Sequence, residues 1–188
     1  MNITFYIQEG IGHILDFQAL DHMLFVVTLC CVYQFKDVKK ILILLTAFTL
    51  GHSLTLILSG LNILRINQDL VETLIPITII FAALTNLLGI GKSGKSHRVK
   101  YVAAAFFGLI HGAGFSNYFR MMLEGIEDSL VMPLLGFNIG IEIGQIIILC
   151  VYLLVLLILL RLLKISQADV TKVISGIAIY ESLCILFL

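Results

Sequence analysis

Long apolar runs separated by short polar stretches make up almost the whole chain of 188 residues. Six of these runs are long enough to cross a bilayer, which takes about 17 to 25 predominantly apolar residues per helix. They cover residues 12–34, 40–61, 70–90, 99–118, 130–162 and 171–188. The pattern predicts an all-α fold, a polytopic transmembrane helical bundle of about six spans that forms a single domain over residues 1–188.

Two of the runs need comment. The fifth is too long for one simple span, and Pro133 and Gly136 stand near its start. Because both residue types disfavour helix interiors, we expect it to open with a turn or a re-entrant piece before the helix proper.

No basic residue precedes the first run, and Asp21 and His22 lie at its centre. It does not look like a signal peptide, so we expect it to remain in the mature protein.

Composition supports the membrane assignment. Hydrophobic residues make up 60% of the chain and charged residues 13%, whereas a soluble domain is typically about 45 to 50% apolar and about 25% charged. The formal net charge is zero, so nothing in the charge points to nucleic acid as a partner. The partners expected from composition are the lipid bilayer and whatever the polar residues within the spans bind.

Basic residues are distributed unevenly between the two sides of the predicted bundle. Ten of the twelve fall on one side, and only Arg65 and Arg120 fall on the other. Since Lys and Arg are retained on the cytoplasmic side of a membrane, we predict that both termini lie outside.

Ionisable side chains recur at one depth in four of the predicted spans. His22, His52, His111 and Glu142 each lie about ten to twelve residues from one end of their span, which is near the midplane at about 1.5 Å of rise per residue. A single histidine in a span can simply hydrogen-bond a neighbouring helix. Several ionisable groups at one depth indicate a functional site, because each is costly in hydrocarbon.

Imidazole combined with carboxylate is a ligand set that suits divalent transition metals such as nickel and zinc. We therefore predict metal ligands at His22, His52, His111, Glu142 and Asp21. Asp21 directly precedes His22, so its side chain is expected either as a second ligand or as the partner that fixes an imidazole tautomer on a neighbouring helix.

A wider set of polar residues is predicted to orient the ligands or to line the access route. It consists of His13, Asp16, Ser53, Asn138, Gln145 and Glu181. Asn138, Glu142 and Gln145 are spaced by four and three residues, so they share one helical face. Gly140 and Gly144 flank that face and would let another helix approach closely.

Four ordered motifs carry a resemblance to a known family. The stretches GIGHILDFQALDHMLF, FTLGHSLTL, FGLIHGAGF and FNIGIEIGQ resemble the signature motifs of the HupE/UreJ family, membrane proteins associated with hydrogenase and urease accessory genes. The resemblance implies a polytopic helical protein of the bacterial inner membrane that handles nickel, with the histidine motifs binding the metal. In members discussed as permeases the first motif resembles H-x5-D-H, whereas seven residues separate His13 from Asp21 here.

Two functions remain open from the sequence. One is a nickel- or cobalt-type permease. A spacing of 89 residues relates His22 to His111, Phe48 to Phe137 and Gly51 to Gly140, consistent with a 3+3 inverted repeat of the kind many transporters have.

The other is an intramembrane metalloenzyme, a hydrolase or acyl-type transferase. Its histidines would hold zinc, and Glu142 or Asp21 would activate metal-bound water. Metal identity, the direction of movement and the oligomeric state do not follow from the sequence.

Overall fold

The computed structural model describes residues 2–17, 19–90, 96–123 and 130–187, leaving aside the side chains of Ser96 and His97. Within these ranges the chain is all-α: seven helices, one short 3-10 turn at Phe35–Asp37 and no strand. The helices are α1 (Ile3–Ile14), α2 (Asp21–Cys30), α3 (Val38–Gly60), α4 (Gln68–Leu87), α5 (Ser96–Leu123), α6 (Val131–Arg161) and α7 (Gln167–Phe187).

Five of the described helices, α3 to α7, are long and apolar enough to cross a membrane. The first predicted span, residues 12–34, is wrong as a single helix, because α1 begins at Ile3 and ends at Ile14 and a separate short helix, α2, follows at Asp21–Cys30. His22 is nine positions after His13, which on one continuous helix would place their side chains about 180° apart. The break between α1 and α2 lets both side chains turn towards the same interior site.

The prediction that the fifth run opens with a turn or re-entrant piece is also wrong, because α6 is continuous from Val131 to Arg161. Pro133 is the third residue of α6. The first backbone N–H groups of a helix have no partner within it, so a proline there removes no hydrogen bond.

Glycines allow two pairs of helices to pack with their backbones almost touching. A Cβ atom added at Gly140 would lie 2.3 Å from the carbonyl oxygen of Ile7, so α1 is the helix that approaches α6 along this face, as the glycine spacing predicted. A Cβ atom added at Gly51 would lie 1.9 Å from the carbonyl oxygen of Ala105, which joins α3 to α5 in the same way.

Both described termini lie at one end of the bundle. Ile3 at the start of α1 packs against Gly136 near the start of α6. Ile185 near the end of α7 borders the same cavity as Asp69 in the first turn of α4. We call this the outer end, following the predicted orientation, and the opposite end the inner end. The side of the membrane on which each end lies remains a prediction.

The helix pairing follows the pattern of a 3+3 inverted repeat. The first crossing of each half packs against the second crossing of the other, as α1 with α6 and α5 with α3, and the two third crossings, α4 and α7, pack against each other. An inverted repeat produces this reciprocal pairing.

The contacts revise which residues correspond between the halves. The backbone carbonyl of Phe48 faces Gly108, and that of Phe137 faces Gly10. Gly10 and Gly108 are 98 residues apart, and so are His13 and His111. The counterpart of His111 is therefore His13, not His22 as the 89-residue spacing predicted. The nine extra residues of the first half lie between His13 and Phe48, in the segment that contains the break between α1 and α2.

Candidate metal centre

Four histidines from four helices meet inside the bundle. His13 stands in the last turn of α1, His22 at the start of α2, His52 in α3 and His111 in α5. The ring centroid of His22 lies 4.4 Å from that of His13, 6.2 Å from that of His52 and 5.1 Å from that of His111. The structure thus brings together His22, His52 and His111, which the sequence predicted at one depth, and adds His13, which was predicted to orient the ligands or to line the access route.

The ligand atoms form two overlapping groups that share His22. One consists of His13, His22 and His52, and the other of Asp21, His22 and His111. Within each group the potential ligand atoms all lie within 4.8 Å of one another. Either group has the number of nitrogen or oxygen ligands that a bound transition metal commonly receives from a protein.

Asp21 holds the imidazole of its own neighbour rather than one on another helix. Its Oδ1 atom accepts a hydrogen bond from the backbone N–H of His22 at 2.9 Å and lies 3.2 Å from Nδ1 of the same residue. With the proton of Nδ1 directed at this carboxylate, Nε2 of His22 carries the free lone pair. A carboxylate behind a histidine is the usual arrangement for a metal-ligating imidazole.

Thr78 on α4 orients His111 in a similar way. The Thr78 hydroxyl donates to the carbonyl of Ile75 at 2.7 Å and lies 3.0 Å from Nε2 of His111. Because the hydroxyl has only one proton, Nε2 of His111 must be the donor in the second contact. The lone pair of His111 is then on Nδ1. Sequence reasoning did not identify Thr78, which in the sequence is an ordinary helical threonine.

Five ring nitrogens in this cluster are buried without a hydrogen-bond partner among the described residues. They are Nε2 of His13, Nε2 of His22, both nitrogens of His52 and Nδ1 of His111. Buried polar atoms are nearly always paired, because an unpaired one loses its interaction with water without compensation. Imidazole nitrogens with free lone pairs, gathered from four helices, are suited chemically to zinc, nickel, copper or iron.

Aromatic rings surround the cluster. The ring centroid of Phe115 lies 4.0 Å from that of His13, and the ring of Phe137 stacks on that of His52 with 6.3 Å between their centroids. On the inward side, the ring centroid of Phe25 lies 4.8 Å from that of His111, 5.0 Å from that of Phe48 and 5.8 Å from that of Phe107. These packed rings separate the histidines from the inner end of the bundle.

A cavity of about 550 Å³ connects the cluster with the outer end. Its wall includes three of the histidines, His13, His22 and His111, and several carboxylates. Asp16 is one of these, in agreement with the predicted access role, and Glu9, Asp21 and Glu72 are the others. The cavity walls are therefore negatively charged along the route to the imidazoles, which favours cations.

Glu142 does not belong to either group of ligand atoms, although the sequence predicted it as a ligand. On α6 the residue next to the histidines is Phe137, and five further residues turn the helix by about 140°. Glu142 consequently faces α3, where the hydroxyl of Thr46 lies 3.5 Å from its Oε2 atom.

The remaining predicted residues divide between two places. The Ser53 hydroxyl lies 2.7 Å from Oδ1 of Asn138, and the Thr49 hydroxyl lies 3.2 Å from Oε1 of Gln145. These side chains therefore pair across the contact of α3 with α6. Glu181 is half-buried on α7 and is also outside both groups of ligand atoms.

The role of His13 could have been found from its local sequence. GIGH ends at His13 and GLIH ends at His111, so each histidine follows a glycine by three residues. In the structure that glycine is the point where the helix touches a facing backbone carbonyl. The shared motif therefore places both histidines at the same height above a close helix contact.

The fold and the site show the class of protein: a polytopic helical integral membrane protein with a histidine cluster inside its bundle. A family model described as HupE / UreJ protein matches residues 1–187. The chain belongs to the HupE/UreJ family. Neither a curated protein nor a solved structure matches it.

Proposed function

We propose that the protein is a permease for a divalent transition-metal cation of the nickel or cobalt type, located in the bacterial inner membrane. One observation supports this most directly: imidazoles from four helices converge, and five of their buried ring nitrogens have no hydrogen-bond partner in the part of the chain that the structure describes. A cation shared among them would satisfy several nitrogens at once. Separate hydrogen bonds would require as many dedicated partners.

The surroundings of the cluster support an inward path from the outer end. Carboxylates of the outer cavity attract the cation, which then meets the group of Asp21, His22 and His111. Because His22 also belongs to the group with His13 and His52, the cation can pass between the two groups without losing all of its ligands. The break between α1 and α2 lies at this point, and discontinuous helices commonly form the binding sites of transporters.

Release towards the cytoplasm requires a second conformation. Phe25, Phe48 and Phe107 pack together on the inward side of the histidines, and each is buried. In the permease these rings must separate, while the outer cavity narrows, for the site to face the inner end. Such alternating access around a midplane site is general among secondary transporters.

The outer cavity also favours a second candidate, an intramembrane zinc-dependent metalloenzyme acting as a hydrolase or acyl-type transferase. A volume of about 550 Å³ exceeds what a single ion needs and would accept part of an organic substrate. Three histidines with an open position suit catalytic zinc. In this enzyme Asp21, which lies beside the imidazoles, would act as the base for metal-bound water, since Glu142 faces away from them.

Proteoliposomes that contain the purified protein separate the two candidates. For the permease we expect saturable uptake of nickel or cobalt that is lost in His22→Ala and in His52→Ala. Elemental analysis of the same preparation provides the second readout. Tightly retained stoichiometric zinc together with absence of uptake would contradict the permease and support the enzyme.

A further inference from the structure

Oxygen-bearing side chains meet where α3 crosses α6, from the level of His52 towards the inner end. We call this contact the polar seam; it consists of Thr46, Thr49 and Ser53 from α3 and Asn138, Glu142 and Gln145 from α6. Both helices are otherwise strongly apolar and long enough to span a membrane. Polar groups in such a position must find their hydrogen-bond partners or a bound ion within the seam itself, because lipid tails offer no hydrogen bonds.

The pairs within the seam do not satisfy all of its atoms. The Thr49 hydroxyl donates to the carbonyl of Leu45 at 3.2 Å and lies equally far from Oε1 of Gln145. One proton cannot serve both contacts fully. Gln145 is completely buried, and its Nε2 atom has no partner among the described residues. The amide of Gln145 is therefore incompletely bonded at both ends. A 180° rotation of the amide exchanges its oxygen and nitrogen, so that Nε2 donates to the Thr49 hydroxyl and the free end presents Oε1, which can bind a cation.

Glu142 is the least satisfied member of the seam. Its one hydrogen bond to a described residue comes from the Thr46 hydroxyl at 3.5 Å, at the long limit for such a bond. The residue is half-buried within an apolar helix, where an ionised carboxylate without a counter-charge is costly. A bound cation would remove that cost.

The chemistry of the seam selects the kind of cation. All of its potential ligand atoms are hydroxyl, amide and carboxylate oxygens, which suit hard cations rather than the transition metals that imidazole prefers. The single carboxylate gives the seam a charge of −1 when it is ionised. A monovalent cation would make the seam neutral, whereas a divalent cation would leave an uncompensated positive charge in the apolar region.

We propose that the polar seam is a second cation site, which binds a monovalent alkali cation through Glu142, Thr46, Thr49 and Gln145. These four residues are neighbours. Thr46 and Thr49 are three residues apart on α3, and Glu142 and Gln145 are three residues apart on α6, so each pair shares one face of its helix. The contacts of Thr46 with Glu142 and of Thr49 with Gln145 join the two faces. Binding at the seam is chemically separate from binding at the histidines. The cation would also act as a coupling ion, but that role rests on the permease function proposed above.

The test measures binding of radioactive sodium to the purified protein in detergent, with lithium and potassium as competitors and choline to keep the ionic strength constant. We expect sodium to bind with one site per chain and Glu142→Gln to weaken the binding at least tenfold. Thr46→Val, at the exposed end of the seam, should weaken it less and serves as a second variant if Glu142→Gln fails to fold. Glu181→Gln, a half-buried carboxylate on α7, is the matched control and should bind as the wild type does.

A second measurement on the same variants separates the two sites. Glu142→Gln should retain nickel or zinc binding at the histidines, and His52→Ala should lose it while retaining sodium binding. The inference is overturned if the folded wild type binds no alkali cation, which includes the case in which Glu142 takes up only a proton. It is also overturned if Glu142→Gln leaves sodium binding unchanged. Sodium binding without any nickel or zinc binding would contradict the proposed permease and leave the seam site standing.

Discussion

The hydroxyl oxygen of Thr78 lies 3.0 Å from Nε2 of His111, and the proton of that hydroxyl goes to the carbonyl of Ile75. A residue on α4 thus determines which nitrogen of a histidine on α5 carries the free lone pair. Partners of this kind orient metal-ligating imidazoles and raise their basicity.

Thr78→Val removes this hydroxyl while keeping the shape of the side chain. We expect metal affinity to fall about tenfold, because outer partners of metal-ligating histidines typically contribute tenfold to a hundredfold. Isothermal titration with nickel or zinc provides the measurement. Thr78→Ser keeps the hydroxyl and should retain affinity close to that of the wild type. Equal affinities for the valine and serine variants would show that the contact does not orient His111.

Replacement of Asp21 tests the corresponding contact at His22. Asp21→Asn removes the negative charge from the Nδ1 side of the ring but keeps the size of the side chain, so metal affinity should fall about tenfold to a hundredfold. The same titration provides the measurement. Asp16→Asn, at another carboxylate of the outer cavity, is the control and should change affinity much less. A larger loss for Asp16→Asn than for Asp21→Asn would contradict the assigned role.

His13 is expected to be as important for metal binding as His22. His13→Ala removes an imidazole whose Nε2 atom is buried and has no hydrogen-bond partner among the described residues. We therefore expect metal affinity to fall about a hundredfold or more, beyond the usual effect of an outer partner. His97→Ala is the control, because fourteen residues place it about 21 Å along α5 from His111. If His13→Ala binds metal as the wild type does, His13 is not a ligand, and the access role that the sequence left open to it remains.

The close contact of α3 with α5 predicts a stability effect unrelated to metal. In Gly51→Ala the new Cβ atom would lie 1.9 Å from the carbonyl oxygen of Ala105, so the helices must separate. Overpacking typically costs about 1 to 3 kcal/mol, sometimes more, and the midpoint of thermal unfolding in detergent should fall. In Gly176→Ala the added Cβ atom would meet no atom of another described element within 4 Å, so the variant should be as stable as the wild type or slightly more stable. Equal losses in both variants would contradict the packing.

The sequence predicted the all-helical class and the number of membrane crossings, although the first crossing is broken into α1 and α2. It also predicted that three of the four clustered histidines lie at one depth. These features depend on composition and on position along each span, and both can be read directly from a single chain. A histidine in the middle of an apolar run must face the protein interior, so depth alone brought His22, His52 and His111 together.

The structure departs from the arrangement expected from the sequence where the direction of a side chain matters more than its depth. Glu142 lies at a similar depth to the histidines, but its direction depends on the rotation of α6, which is set by the glycine contacts with α1. His13 was grouped with the residues that orient the ligands or line the access route, because seven residues separate it from Asp21 where the family motif has five. Neither the rotation of α6 nor the break between α1 and α2 follows from hydrophobic periodicity, since both depend on contacts between distant parts of the chain.

X-ray absorption spectroscopy of the purified protein loaded with nickel or zinc tests the central claim most directly. The account predicts a first coordination shell dominated by imidazole nitrogens from at least three histidines, at about 2.0 to 2.1 Å in the case of zinc. The imidazole contribution should decrease in His22→Ala, the variant that disrupts both groups of ligand atoms. A shell without imidazole, or a spectrum that is the same in His22→Ala and the wild type, would contradict a metal centre at the four histidines.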